Sequence, residues 1–251
     1  MQRYFYQGPS PSLRSLRMEG DDFHHMANVM RMKPGERIVL VFADGREGVY
    51  EISEIKRGYA EVAFVQWIEK NRELPVRVTI ASAMLKGDRW EWLIQKGTEL
   101  GAGSFIPVVT ERTVVKLEEK KIPQKIRRWE KIAKEAAEQS ERNRIPAVEK
   151  PRSFHALVEM SRAFDHRLAA YEEEGRKGES ENLLKLFRSV KPSDSLLVLT
   201  GPEGGFSKRE IETLTEQNFF ICGIGPRILR AETAPLYILS NISFYFELMM
   251  R

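Results

Sequence analysis

The sequence predicts an α/β domain with a mainly parallel sheet, preceded by a small β-rich module, and three observations carry that prediction. Short strand-like runs fill Arg37–Ile68. After Pro75, apolar strands alternate with amphipathic helices. Between them lies a polar stretch, Glu69–Pro75 (EKNRELP), in which charge, Asn and Pro replace the apolar alternation.

The elements follow in order. Asp22–Met32 carries Phe23, Met26, Val29 and Met30 at helical spacing and stops at Pro34-Gly35. Three β-rich runs come next, IVLVF, VYEISEI and YAEVAFVQWI, parted by the turn signals Asp44-Gly45 and Lys56-Arg57-Gly58. They predict an antiparallel meander. Residues 1–70 are therefore one module, 71–75 a linker and 76–251 a second domain. In that domain VRVTIASAML is a strand and RWEWLIQKGTEL a helix whose core face is Trp90, Leu93, Ile94 and Leu100. FIPVV is the next strand, and a long helix begins near Ile122 with Ile126, Trp129, Ile132, Ala133 and Ala136 on its apolar side. RLAAY, SLLVLT and FFICGIG are further strands, each followed by a helical stretch, a pattern that argues for a parallel sheet covered on both faces.

Composition narrows the classes. With 251 residues, 42% of them hydrophobic, the chain can bury a full core. Lys and Arg (40) against Asp and Glu (36) leave a charge of +4, which suits a polyanionic partner without requiring one. The single cysteine, Cys222, follows Phe219-Phe220-Ile221 and reads as a buried structural thiol, so no disulfide framework exists and a reducing compartment is expected. MQRYFYQGPS lacks the apolar core of a signal peptide, and Leu236–Met250 is interrupted by Ser240, Asn241, Ser243 and Glu247. A soluble cytoplasmic protein is expected.

Leu196–Thr200 runs into Gly201-Pro202-Glu203-Gly204-Gly205-Phe206, after which Ser207 and Glu210 form a capping-box pair at a helix start. The loop lacks both the Lys-Ser/Thr ending of a phosphate loop and the spacing of a dinucleotide fingerprint, which disfavours a kinase or a nicotinamide-dependent oxidoreductase. A second loop, Gly223 to Pro235, again lies between a strand and a helix. The two loops are expected to leave the carboxyl ends of neighbouring strands and so to form a crevice, the usual ligand site of an open α/β sheet.

LTGPEGGFS followed by GIGPRILRAETA resembles the paired signature of the RsmE family of SPOUT-class methyltransferases. HHMANVMRMKPGERI, ASAMLKGDRWEWLIQKGTELG and AAEQSERNRIP resemble that family's other segments, so the likeness spans the chain; Ala102 and Pro235 are small departures. The resemblance implies a PUA-like RNA-binding β-barrel, then a SPOUT domain with a C-terminal trefoil knot. It also implies a homodimer, S-adenosylmethionine (SAM) as cofactor, no metal, and methylation of uridine N3 in 16S ribosomal RNA. The implied cofactor residues are Leu199, Thr200, Gly201, Pro202, Glu203, Gly204, Gly225, Ile228, Leu229, Arg230, Thr233 and Ala234. A non-catalytic RNA-binding or ribosome-assembly factor on the same fold is the alternative.

Transfer to N3 requires loss of the imino proton and stabilisation of a uridine anion. Arg230 is the leading catalytic candidate, because a cation ahead of a helix N-terminus opposes the helix dipole. Glu232 is either the base or a helix-start stabiliser, and Arg227 either orders its loop or meets a phosphate. The first module holds ten Lys and Arg against ten Asp and Glu, so any RNA contact there is a local patch of Arg3, Tyr4, Phe5, Arg31 and Lys33. Tyr4 and Phe5 either stack on bases or fill the core. Lys86, Arg89 and Arg142 complete the RNA candidates through the resemblance, and Lys125, Arg127, Arg128 and Lys131 lie on the charged face of the long helix. His24 and His25 lack ligand spacing for a metal; one of them is expected to pack or bond locally.

Overall fold

The computed structural model describes residues 1–8, 15–115, 118–179 and 181–250. They form two compact units, Met1–Glu73 with Ala137–Arg144, and Leu74–Ala136 with Ile145–Arg251.

The first unit is a five-stranded sheet built from β1 (Gln2–Tyr6), β2 (Ser15–Glu19), β3 (Arg37–Phe42), β4 (Glu47–Lys56) and β5 (Tyr59–Ile68), in the order β1-β3-β4-β5-β2. The expected meander is β3-β4-β5. β1 adds to it in parallel, pairing Gln2 with Ile38 and Tyr6 with Phe42, while β2 pairs antiparallel with β5. Helix α1 (Gly20–His24) runs on through a π-helical turn, His25–Val29, which buries Met26. β3 is apolar at every position from Ile38 to Phe42 because both its faces are covered: Ile38, Leu40 and Phe42 meet Tyr4, Met18, Met26 and Tyr50, whereas Val39 and Val41 meet Phe5 and Ala137.

Segment 137–144 is tied to this sheet by buried charge. Arg3 pairs with Glu47, Arg72 reaches Glu47 at 2.7 Å and Glu141 at 3.0 Å, and Arg142 pairs with Glu73. Asn143 accepts from the Arg72 amide and donates to the Gly45 carbonyl. Three RNA-contact expectations are corrected here. Arg3 and Arg142 are buried in these ion pairs, and Tyr4 is buried with its hydroxyl 3.0 Å from His25 Nδ1. Phe5 is core as well. Taking any of these side chains out to a nucleic acid would uncover apolar surface or strand a charge.

In the second unit β6 (Arg77–Ala83), α2 (Arg89–Glu99), β7 (Ser104–Val109), α3 (Ile122–Gln139), whose last turn belongs to the first unit, β8 (Ala147–Val148), β9 (Arg152–Ser153) and α4 (Phe154–Ser161) precede the site. Then come β10 (His166–Ala170), α5 (Glu172–Arg176), α6 (Asn182–Ser189), β11 (Ser195–Thr200), α7 (Lys208–Glu216), β12 (Phe220–Cys222) and α8 (Thr233–Ser243), which a π-helical turn extends through Met249. The strands are parallel, in the order β12-β10-β11-β6-β7-β8 with β9 also on β7. One face packs Ile80, Leu196 and Val198 against α2, α3, α6 and α8; the other packs Ala81, Leu197 and Leu199 against α4 and α7. Cys222 lies in the first of these cores, where burial pushes its thiol up to about 12.

The chain leaving β12 passes against the segment that follows β10. Tyr171 N donates to the Cys222 carbonyl, Asn182 to the Ile221 carbonyl, and Gly223 N to the Glu179 carboxylate. Gly175 and Gly223 lie so close that a Cβ on Gly223 would sit 2.5 Å from Gly175 N. Such interlocking of the last crossover with an earlier one is what a C-terminal knotted segment requires.

Candidate functional site

Three parallel strands end side by side and their loops form one cleft. β11 delivers Gly201–Phe206, β12 delivers Gly223–Glu232, and β10, which lies between those two strands, delivers Tyr171 and Glu172. The expectation that the two glycine-bearing loops leave adjacent strands is therefore corrected: β10 separates them and supplies the middle of the wall. The cleft has a volume of about 420 Å³, within the range of small-molecule sites.

Local chemistry fixes each loop. Ser207 Oγ accepts from Glu210 N at 3.2 Å while the Glu210 carboxylate accepts from Ser207 N at 2.9 Å, the capping box read from the sequence. Glu210 also accepts from Glu111 N at 2.9 Å. Gly205 holds a φ of +65°, a conformation open to glycine, and its amide closes a turn on the Pro202 carbonyl. In the second loop the Arg230 carbonyl accepts from Thr233 N and Ala234 N, which starts α8 and leaves the exposed Arg230 guanidinium without a protein partner among the described residues.

Of the expected residues, Thr200, Gly201, Pro202, Glu203, Gly225, Ile228, Leu229, Arg230, Glu232 and Ala234 line the cleft, as do Arg89 and Arg227. Leu199, Gly204 and Thr233 do not; Leu199 is wholly buried in the sheet. Lys86, Arg31 and Lys33 are exposed and are not among the residues that line the cleft. Tyr171, Glu172 and Gly205 are lining residues that the sequence reading missed. The signal for the first two was the end of the RLAAY strand, which needed the strand order to be recognised.

Charge is arranged across the cleft. Arg89, from the start of α2, reaches Glu203 at 3.1 Å and Glu232 at 3.7 Å, so one guanidinium joins the two loops. Glu232 precedes α8, yet its side chain makes no capping bond; it is buried, and its Oε2 has no hydrogen-bond partner among the described residues. Thr200 Oγ1, almost fully buried, is likewise unpartnered. Buried polar atoms without partners are costly, and two of them on one cleft point to a ligand that completes them. Burial first, then a hydrogen bond to Glu173, raises the Tyr171 hydroxyl to about 12, which keeps it protonated and unfit as a base near neutrality. No cluster of His, Cys, Asp and Glu suited to a metal occurs among the described residues.

Residues 72–243 match the model of a family described as an RNA methyltransferase domain, and 19–65 that of an RNA methyltransferase PUA domain. The chain is 46% identical to ribosomal RNA small subunit methyltransferase E of Bacillus subtilis, over 99% of this chain and 98% of that protein. A Legionella pneumophila protein described as a methyltransferase, solved with bound SAM, is 30% identical with a TM-score of 0.83 over 96% of each chain. The small subunit methyltransferase E of Neisseria gonorrhoeae, also bound to SAM, is 25% identical with a TM-score of 0.85 over 98% of each chain.

Proposed function

Since the chain belongs to the ribosomal RNA small subunit methyltransferase E family, we propose that its cleft binds SAM and that the enzyme methylates N3 of a uridine in 16S ribosomal RNA. The observation that carries this reading is the cleft itself, with Thr200 Oγ1 and Glu232 Oε2 buried and unpartnered on its wall. The Thr200 hydroxyl fits a nucleoside-bearing cofactor, because it can donate or accept, and Gly201 and Gly225 let backbone approach a flat ring closely. The cofactor supplies an electrophilic methyl group when bound.

The chain's own residues do the rest. Arg230, without a protein partner among the described residues and on the cleft wall, stabilises negative charge on the uridine as N3 loses its proton. Glu232 accepts that proton at its unpartnered Oε2, and Arg89 holds the same carboxylate in place from the Oε1 side. Arg227, exposed at the cleft, meets the RNA backbone, with Arg31, Lys33 and Lys86 as further phosphate contacts. The N3 proton goes to Glu232, and the methyl group that bound SAM would supply takes its place on N3, with the cofactor leaving as the neutral thioether S-adenosylhomocysteine. No helix among the described residues is long and apolar enough to cross a membrane, and a cytoplasmic enzyme acting on ribosomal RNA is the matching location.

The test is incubation with labelled SAM and unmodified small-subunit RNA or subunits, followed by mapping of the methylated nucleotide. Label at N3 of one uridine is expected. Arg230→Ala should lower incorporation by on the order of a hundredfold while SAM binding is retained. Absence of label from every ribosomal RNA substrate would overturn the reading.

A further inference from the structure

Residues 172–174 are three successive glutamates with three different surroundings. Glu174 pairs with Lys177 at 2.8 Å, and Glu173 accepts the Tyr171 hydroxyl. Glu172 turns into the cleft, where its Oε1 lies 2.5 Å from the point a Cβ on Gly205 would occupy. Its carboxylate thus rests over the Gly201–Phe206 loop in space that exists because residue 205 has no side chain.

Among the three carboxylates that line the cleft, Glu203 and Glu232 share Arg89, while Glu172 has neither an ion pair nor a hydrogen bond among the described residues. The cations nearby are otherwise placed. Arg112 donates to the Gly204 carbonyl at 2.9 Å, and no ion pair joins Arg227 or Arg230 to Glu172. Glu172 follows β10, the middle of the three strands whose ends build the cleft, so its charge faces whatever the two flanking loops hold. A partly desolvated carboxylate without a cation is stabilised when a cationic ligand arrives, and the buried, unpartnered Thr200 hydroxyl marks the same cleft as a place that a ligand completes.

We infer that Glu172 is a cation-recognising residue of the cleft, receiving a positive centre on the methionine arm of the cofactor, either its sulfonium or its ammonium group. This rests on the SAM-binding reading above. It makes the cleft selective for a charged cofactor, beyond its shape for a nucleoside.

Calorimetric titration with SAM, S-adenosylhomocysteine and 5′-methylthioadenosine tests it without any methyl transfer. S-adenosylhomocysteine keeps the ammonium and lacks the sulfonium; the methylthio compound lacks both. Glu172→Gln should weaken SAM roughly tenfold, the scale of one charge-assisted contact, and leave the methylthio compound unchanged. Equal weakening of SAM and S-adenosylhomocysteine assigns the ammonium, and weakening of SAM alone assigns the sulfonium. Glu172→Asp, which keeps the charge, should recover part of the loss. Unchanged SAM binding in Glu172→Gln overturns the inference, as does equal weakening of all three compounds, which would report a distorted cleft. Failure of the wild-type protein to bind SAM would instead remove the cofactor reading itself.

Discussion

Arg89 shows how one side chain can organise a site from outside both of its loops. Its guanidinium meets Glu203 and Glu232, and the sequence alone leaves Glu232 open between base and helix-start stabiliser. Arg89 is placed to reach both loops because α2 is anchored by the burial of Trp90, Leu93 and Ile94 in the core. At the opposite end of the same strands another polar group titrates. Asp165 Oδ2 accepts the Ser195 hydroxyl at 2.6 Å and amide at 2.8 Å; Asp194 accepts the Lys191 amide at 2.8 Å and meets His166 Nε2 at 2.9 Å. The Ser195 hydroxyl and then its amide hold Asp165 below the ordinary 3.8, and the Lys191 amide and then His166 do the same for Asp194. A carboxyl whose folded-state pKa lies below its unfolded value stabilises the fold fully above the unfolded value, and that contribution is lost as pH falls through the lowered one. Thermal melting followed downward from roughly pH 5 should therefore show a falling Tm. Asp165→Asn should lower Tm at neutral pH and make the acid slope shallower. An unchanged slope would exclude Asp165 as a contributor.

At the scale of elements, strands and the α7 start were legible and their neighbours were not. The capping box was readable because Ser207 and Glu210 act within one turn. β3 was readable because a continuous apolar run is what a strand buried on both faces demands, but nothing in the sequence named Ala137 as the cover of its second face. That cover depends on ion pairs such as Arg142–Glu73, whose partners lie far apart in the chain and look like ordinary surface charges. The cleft was half legible for the same reason: the glycine loops announce themselves, whereas Tyr171 and Glu172 matter only because β10 lies between β11 and β12. The tightest constraint was also hidden. Gly175 and Gly223 are each small because the backbone of the other is there; a Cβ on Gly175 would sit 2.5 Å from the Gly225 carbonyl oxygen, and backbone cannot move aside as a side chain can. Gly223→Ala is expected to destabilise the protein by about 1–3 kcal/mol, the usual cost of overpacking. It should also weaken SAM binding, because the second loop starts at that residue. A denaturation midpoint equal to wild type would show that the two crossovers are looser than their contacts imply.

For the molecule as a whole, the outstanding surface is the end of the chain. Leu236, Ile238, Leu239, Ile242, Phe244, Phe246, Leu248 and Met249 make the last helix apolar around much of its circumference, and either a second subunit or the chain's own core could cover it. The chain's core covers one side: Ile238, Leu239, Ile242 and Phe246 pack with α2, α3 and α6. Tyr237, Phe244, Leu248 and Met249 stay exposed, between 40% and 68% of their full surface. Apolar side chains gathered along one helix at that exposure are a liability in a monomer, and we propose that a second copy of the chain covers them. A two-fold dimer places the same stripe on both copies, so one substitution alters the interface twice. Sedimentation velocity should show a dimer for the wild-type chain and a monomer for Phe244→Glu, and the Tm of the wild type should rise with protein concentration while that of the variant does not, as mass action requires when association stabilises the fold. Because the cleft opens beside the start of α8, the dimer also bears on catalysis: a monomeric variant that keeps SAM affinity but loses transfer to RNA would mean that the partner completes the RNA site. A wild-type monomer at every concentration would leave the exposed face of α8 to some other surface and remove the second copy from the proposal.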